Sequence, residues 1–320
     1  MRTDKVFAEG VAQRIREYLP PEFRNVECTV VENQENNGVI LTGVSFKMPD
    51  QNIAPVIYMH SFYEEIKRGE PIKEVMEKIA DCFLANYECQ KMTQAINLFK
   101  YESVKDYIEP VLINTRANQR ALSQIPHKKM EDLSVVYQVV LSSTGEKGKA
   151  SVKITNEMAE GWGVSQEELH ETALANGTRR QPAVLWDMET VMREVLFDEV
   201  STENLLEQSD SIDYGEMFVL SNSERIDGAA VLAYPDLLKR VDEKFEGGVY
   251  ILPSSIHECL VVPKRVGMPP EELGKMVREV NATEVGRQEI LSDRVYEFDR
   301  ERNCLSQVAA SIDRGREMER

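Results

Sequence analysis

Residues 26–46 read VECTVVENQENNGVILTGVSF, and the fold class turns on them. Val26, Cys28 and Val30 alternate with Glu27 and Thr29, the two-residue period of a strand with one buried face. Asn37-Gly38 follows, a pair that tolerates positive φ at a turn, and then a second apolar run over 39–46. Strands joined by so short a connection must run antiparallel. Before them, Phe7, Val11, Ile15 and Tyr18 recur at helical spacing until Pro20-Pro21 stops the helix. After them, a third strand is expected near 54–59, then a helix capped by Ser61. Past Gly69, Ile72, Val75, Met76, Ile79 and Phe83 mark an amphipathic helix. The order α-β-β-β-α-α predicts an α+β protein.

Further along, strands are expected at 111–114 and 133–141, with 144–148 turning into another at 150–154. Ser165-Gln-Glu-Glu168 matches a capping box, opening a helix that Gly177 should end. A helix over 187–197 should face Val191 and Val195 inward. Strands are expected at 217–220 and 229–233, then a helix opened by Pro235, with Leu238, Val241 and Phe245 inward, and closed by Gly247-Gly248. Strands at 249–252 and 258–262, a helix after Pro269-Pro270 and a hairpin over 294–305 complete the pattern. The expected architecture is α+β, with antiparallel or mixed sheets and packed helices, two outer lobes (1–107 and 211–306), an irregular acidic middle (108–210) and a frayed tail (307–320).

The 320 residues carry 38 Lys+Arg against 55 Asp+Glu, a formal charge of −17. Residues 151–220 hold 15 of the acids and only 4 bases, so the acidity is local. A negative chain disfavours a broad nucleic-acid groove. One acid-free stretch, 110–130, still offers a basic patch of Arg116, Arg120, Lys128 and Lys129 beside His127, although without interleaved aromatics. Residues 194–224 contain nine acids and no Lys or Arg, which predicts an exposed acidic face, solvated or docked on that patch.

No metal and no cofactor are expected. His257-Glu258 begins an H-E-x-x-H pattern, but Val261 stands where the second histidine belongs. Asp210, Asp213 and Glu216 miss the spacing of a calcium loop. Residues 145–150 resemble a phosphate loop, yet Ser143 and Ala150 occupy positions that need Gly and Ser/Thr. Five cysteines with no C-x-x-C read as reduced thiols. Charges among residues 1–10 argue against a signal peptide, so a cytoplasmic location is expected. The sequons at Asn176 and Asn281 are then chance matches, and Trp162 and Trp186 are core or inter-lobe anchors.

The densest polar constellation is Ser254, Ser255, His257 and Glu258, set between two apolar strands. These residues could supply a nucleophile, base and acid. They could equally satisfy backbone groups in a tight strand-to-strand turn.

The same string carries a family resemblance. Residues 250–258 (YILPSSIHE) followed by 260–263 (LVVP) resemble the signature of a domain-of-unknown-function family found in gut Gram-positive bacteria. Gly38-Val39, Ile57-Tyr58, Phe62-Tyr63-Glu64, 162–165 (WGVS), 227–230 (DGAA) and 280–283 (VNAT) extend it over about residues 5–306. The resemblance implies a bacterial protein with no assigned activity, and an accessory role beside mobile elements by association. The functional expectation is therefore a binding or interaction protein without catalysis, its partner a protein or small ligand. The alternative is a hydrolase or transferase using Ser254, Ser255, His257 or Glu258.

Overall fold

A computed structural model describes residues 3–49, 54–92, 96–143, 149–197, 203–253 and 255–308. The chain divides into two compact units, Met1–Leu98 with Val140–Val152, and Phe99–Val139 with Lys153–Arg320. Of the expected tail, Gln307 ends a strand, while 309–320 lie outside the described residues, as does the turn at 144–148.

The first unit follows the expected order: α1 (Thr3–Arg14), β1 (Glu27–Gln34), β2 (Ile40–Lys47), β3 (Val56–Tyr58), α2 (His60–Lys67) and α3 (Ile72–Met92). The strands form one antiparallel sheet, β1-β2-β3. Asn37 and Gly38 turn the hairpin with φ of 56° and 70°, conformations that these two residues tolerate. Val11 of α1, Ile15 just after it, Val44 and Phe46 of β2, and Val75, Ile79 and Phe83 of α3 are buried together. Phe46 stacks on Phe83 with ring centroids 4.8 Å apart, and Phe23 meets the same ring edge-on at 5.3 Å. Ser61 is not the cap of α2. The Met59 N–H still bonds to Thr42 O across the sheet (3.0 Å), so strand pairing runs into the helix, which starts at His60.

Next along the chain come α4 (Tyr101–Val104), β4 (Ile108–Asn114), α5 (Gln119–Leu122), β5 (His127–Met130), β6 (Leu133–Ser143), β7 (Lys149–Lys153), α6 (Asn156–Trp162) and α7 (Gln166–Arg180), of the second unit except for Val140–Val152, which belong to the first. They are followed by β8 (Ala183–Asp187), α8 (Met188–Phe197), β9 (Phe218–Asn222), α9 (Leu237–Lys244), β10 (Val249–Leu252), β11 (Cys259–Pro263), α10 (Pro270–Thr283), β12 (Tyr296–Asp299) and β13 (Cys304–Gln307). One sheet runs β4-β6-β5, with β7 on β6; the other runs β13-β12-β10-β11-β9-β8. Every described pairing whose direction is given is antiparallel, and the protein is α+β. Residues 108–210, expected as an irregular middle, supply all of the first sheet and the β8 edge of the second.

Three local expectations fail for physical reasons. Residues 229–233 lie in a 3-10 turn, Gly228–Ala233, rather than a strand. The apolar run is buried through Leu232, and a short, fully apolar stretch does not distinguish a buried helix from a strand. Gly177 does not end α7, which continues to Arg180. A Cβ there would lie 2.7 Å from Tyr234 Oη and 3.1 Å from Pro110 Cδ, so the glycine is where α7 presses on its neighbours. Val195 points outward, 76% exposed. The inward stripe of α8 is instead Thr190, Val191 and Glu194, and Glu194 pairs with Arg225 at 2.5 Å. Arg225 in turn lies over the Trp186 ring, 4.3 Å from its centroid.

One polar network fixes the geometry used below. Asp132, after β5, accepts from Ser292 Oγ (3.1 Å), Gln307 Nε2 (3.2 Å) and the Tyr296 hydroxyl. It thus ties the β5–β6 turn to β12 and β13 across the two sheets of this unit.

Candidate functional site

The signature turn between β10 and β11 comes first. Ser254 lies outside the described residues. Ser255 is buried, and its Oγ accepts the N–H of His257 (3.0 Å) while its hydroxyl bonds to the Glu258 carboxyl. His257 Nδ1 accepts the Asp227 N–H (3.2 Å), and its carbonyl accepts the Ser221 hydroxyl (2.7 Å). Ile256 accepts from Ala229 N (3.0 Å) and donates to Glu289 O (2.8 Å). The strings at 227–230 and 250–258 are therefore one joint, built from two pieces of the sequence. Gly228 sits at its centre: a Cβ there would lie 1.9 Å from Ser221 Oγ and 2.3 Å from His257 O.

This geometry does not aim Ser255 at the imidazole as a nucleophile aims at its base. Nδ1 is occupied by a backbone donor, which leaves the proton on Nε2. The Glu258 carboxyl is pushed above its ordinary range, chiefly by burial, with Glu289 adding repulsion and His257, Ser255 and Arg225 opposing.

Lys128 and Lys129 lie on β5, paired with β6, while Arg116 and Arg120 are exposed in the segment before it. Lys128 pairs with Glu167 at 2.9 Å and, among the described residues, with no carboxylate of the acidic stretch. Within 194–224, Glu203, Glu207, Asp210, Asp213 and Glu216 are exposed, whereas Leu205, Leu206 and Ile212 anchor the segment in the interior. Trp186 is buried; Trp162 is half-buried against Tyr101, centroids 5.9 Å apart. Both sequon asparagines are also buried: Asn176 donates to Lys105 O and Ile108 O, and Asn281 to Ser292 O and Asp293 Oδ1.

Lys128 and Lys129 instead border a cavity of about 390 Å³ that sequence reasoning missed. Its walls come from β5, from Leu232 to Lys239, and from Phe298 and Asn303 to Leu305. Met130, Val135, Leu232, Leu238, Phe298 and Leu305 make it apolar; Lys128, Lys129, Lys239, Asp236, Asn303 and Cys304 add polar groups. His170 of α7 also lines it, 9% exposed, with Nδ1 3.0 Å from the buried Tyr137 hydroxyl. Burial, with Lys128 adding, holds the His170 pKa below its ordinary value, so the ring is neutral near pH 7. Asp236 and Asn303 both take left-handed backbone, φ 57° and 53°. Among the described residues, no three His, Cys, Asp or Glu side chains gather as metal ligands, and no helix is long and apolar enough to cross a membrane.

Comparison with known proteins returns one match. The model of a family of unknown function, DUF5688, covers residues 5–300, and the chain belongs to that family. No curated protein and no solved structure matches.

Proposed function

We propose that this family member is a cytoplasmic binding protein without catalysis, retaining a small ligand or a protein partner. The carrying observation is the engagement of the Ser255–His257 turn with backbone. Ser255 Oγ and His257 Nδ1, atoms that a hydrolase or transferase would use, accept instead from the N–H groups of His257 and Asp227. A mobile-element accessory role fits a protein that acts by association rather than turnover. Raised thiol pKa values at Cys28, Cys82 and Cys259, each driven by burial, fit inert thiols in a reducing compartment. Nucleic acid is a poor partner, because Arg116 and Arg120 are not among the residues lining the cavity and the overall charge of −17 opposes it.

The test is capture from native lysate by the immobilised full chain, with native mass spectrometry for small ligands. Wild type and a Ser255→Ala/His257→Ala variant should retain the same species. Turnover of an ester, amide or phosphoryl substrate that disappears in the folded His257→Ala protein would reverse the reading.

A further inference from the structure

The cavity bordered by β5, α7, α9 and β13 has the parts of a small-molecule site. Its volume of about 390 Å³ falls in the range of ligand pockets, roughly 300–1,000 Å³, and far below what a folded partner occupies. The lining mixes apolar and polar groups, and its charges are uneven: three lysines against one aspartate, in a chain of net charge −17. Lys128 is engaged by Glu167 at 2.9 Å. The carboxylate nearest Lys239, on Glu243, stands 3.9 Å away, both side chains more than half exposed. Lys129 is exposed and makes no ion pair among the described residues.

His170 supplies the directional element. The Tyr137 hydroxyl is buried, and the one partner it has among the described residues is His170 Nδ1. A buried phenol must donate its proton, so Nδ1 accepts and the hydrogen of the neutral ring sits on Nε2. Nε2 makes no hydrogen bond within the described protein, in a side chain that lines the cavity. A fixed N–H donor beside lysines wants an acceptor that carries negative charge.

We propose that this cavity binds a small amphipathic anion, its carboxylate or phosphate head taken by His170 Nε2–H, Lys129 and Lys239 and its apolar body by Leu232, Leu238 and Phe298. The proposal rests on the binding reading above and names the ligand class for it. Tyr137 and Asp132 are positioning residues here, one setting the tautomer and the other clamping β5 to β12 and β13.

Calorimetric titration of the full chain with octanoate, octyl phosphate and 1-octanol, at low ionic strength, tests it. One of the two anions should bind saturably and about tenfold or more tighter than octanol, and the better head identifies the group recognised. Lys129→Glu/Lys239→Glu alters two exposed side chains and should weaken anion binding about tenfold while leaving octanol unchanged. His170→Phe should weaken it as well. Cys304 lines the same cavity and is exposed, so bound anion should slow its alkylation, mapped by peptide mass spectrometry. Equal binding of octanol and both anions, absence of binding by either anion, or anion binding indifferent to the double lysine reversal would overturn the proposal. A partner captured from lysate in the face of such a failure would leave the non-catalytic reading standing and remove only this site.

Discussion

The turn at 255–258 and the cavity at His170 hold the same chemistry, an imidazole beside a hydroxyl and a carboxylate or cation, in different settings. At the turn, both Ser255 Oγ and His257 Nδ1 accept backbone N–H groups. At the cavity, Nδ1 of His170 is bonded by a side-chain hydroxyl, that of Tyr137, and the ring lines the cavity wall. Polar density therefore marks a joint, and a nearly buried ring on a cavity wall marks a place for a ligand. The lesson is about accounting for donors rather than counting them.

The largest effect that would sharpen this contrast is at Gly228. Gly228→Ala places a methyl 1.9 Å from Ser221 Oγ and 2.3 Å from a backbone oxygen, which the joint cannot relieve by side-chain rotation alone. Chemical denaturation should show a loss of about 3 kcal/mol or more. His257→Ala comes next: it orphans the Asp227 N–H and should cost about 1–3 kcal/mol without altering octanoate affinity. A variant that folds as stably as wild type would remove the joint reading.

The two regions should also answer pH with opposite signs. Glu258 has a raised folded pKa, so the folded state holds a proton that the unfolded chain releases. Its contribution is fully present below the ordinary carboxyl value of 4.5 and is lost as pH rises through the raised one. His170 has a lowered folded pKa; its contribution is present above 6.5 and is lost as pH falls through the depressed value. Stability measured against pH should therefore lose its alkaline-going decline in Glu258→Gln, and its decline below 6.5 in His170→Phe. Tyr137→Phe should shift the imidazole nitrogen resonances of His170 toward a tautomer mixture and cost about 1 kcal/mol. Smallest of all, Lys129→Glu alone should change stability by no more than about 0.5 kcal/mol, because the side chain is exposed and unpaired among the described residues.

The first unit was legible because its signals are local. Alternation over 26–30, Asn37-Gly38, and the stripe from Ile72 to Phe83 each need only their own neighbours. Strand β5 was not legible: His127-Lys-Lys-Met130 has no alternation and is a strand only because β6 lies beside it. Short β8 likewise takes its identity from pairing with β9. The turn at 255–258 could be found because its residues are contiguous, although its polar density suggested chemistry that its hydrogen bonds do not support. The cavity could not be found, since Lys129, His170, Lys239 and Cys304 come from four separate segments. Nothing in their spacing announces that they meet.

The first unit is not continuous along the chain: Val140–Val152 belongs with Met1–Leu98. On a ribosome, the early residues must wait while the segment between them is made. At about 5–20 residues per second, that delay lasts several seconds. During it the first unit is short of one of its two segments. Synthesis speed across residues 99–152 therefore sets the length of that wait, a quantity that no equilibrium measurement on the finished protein reads.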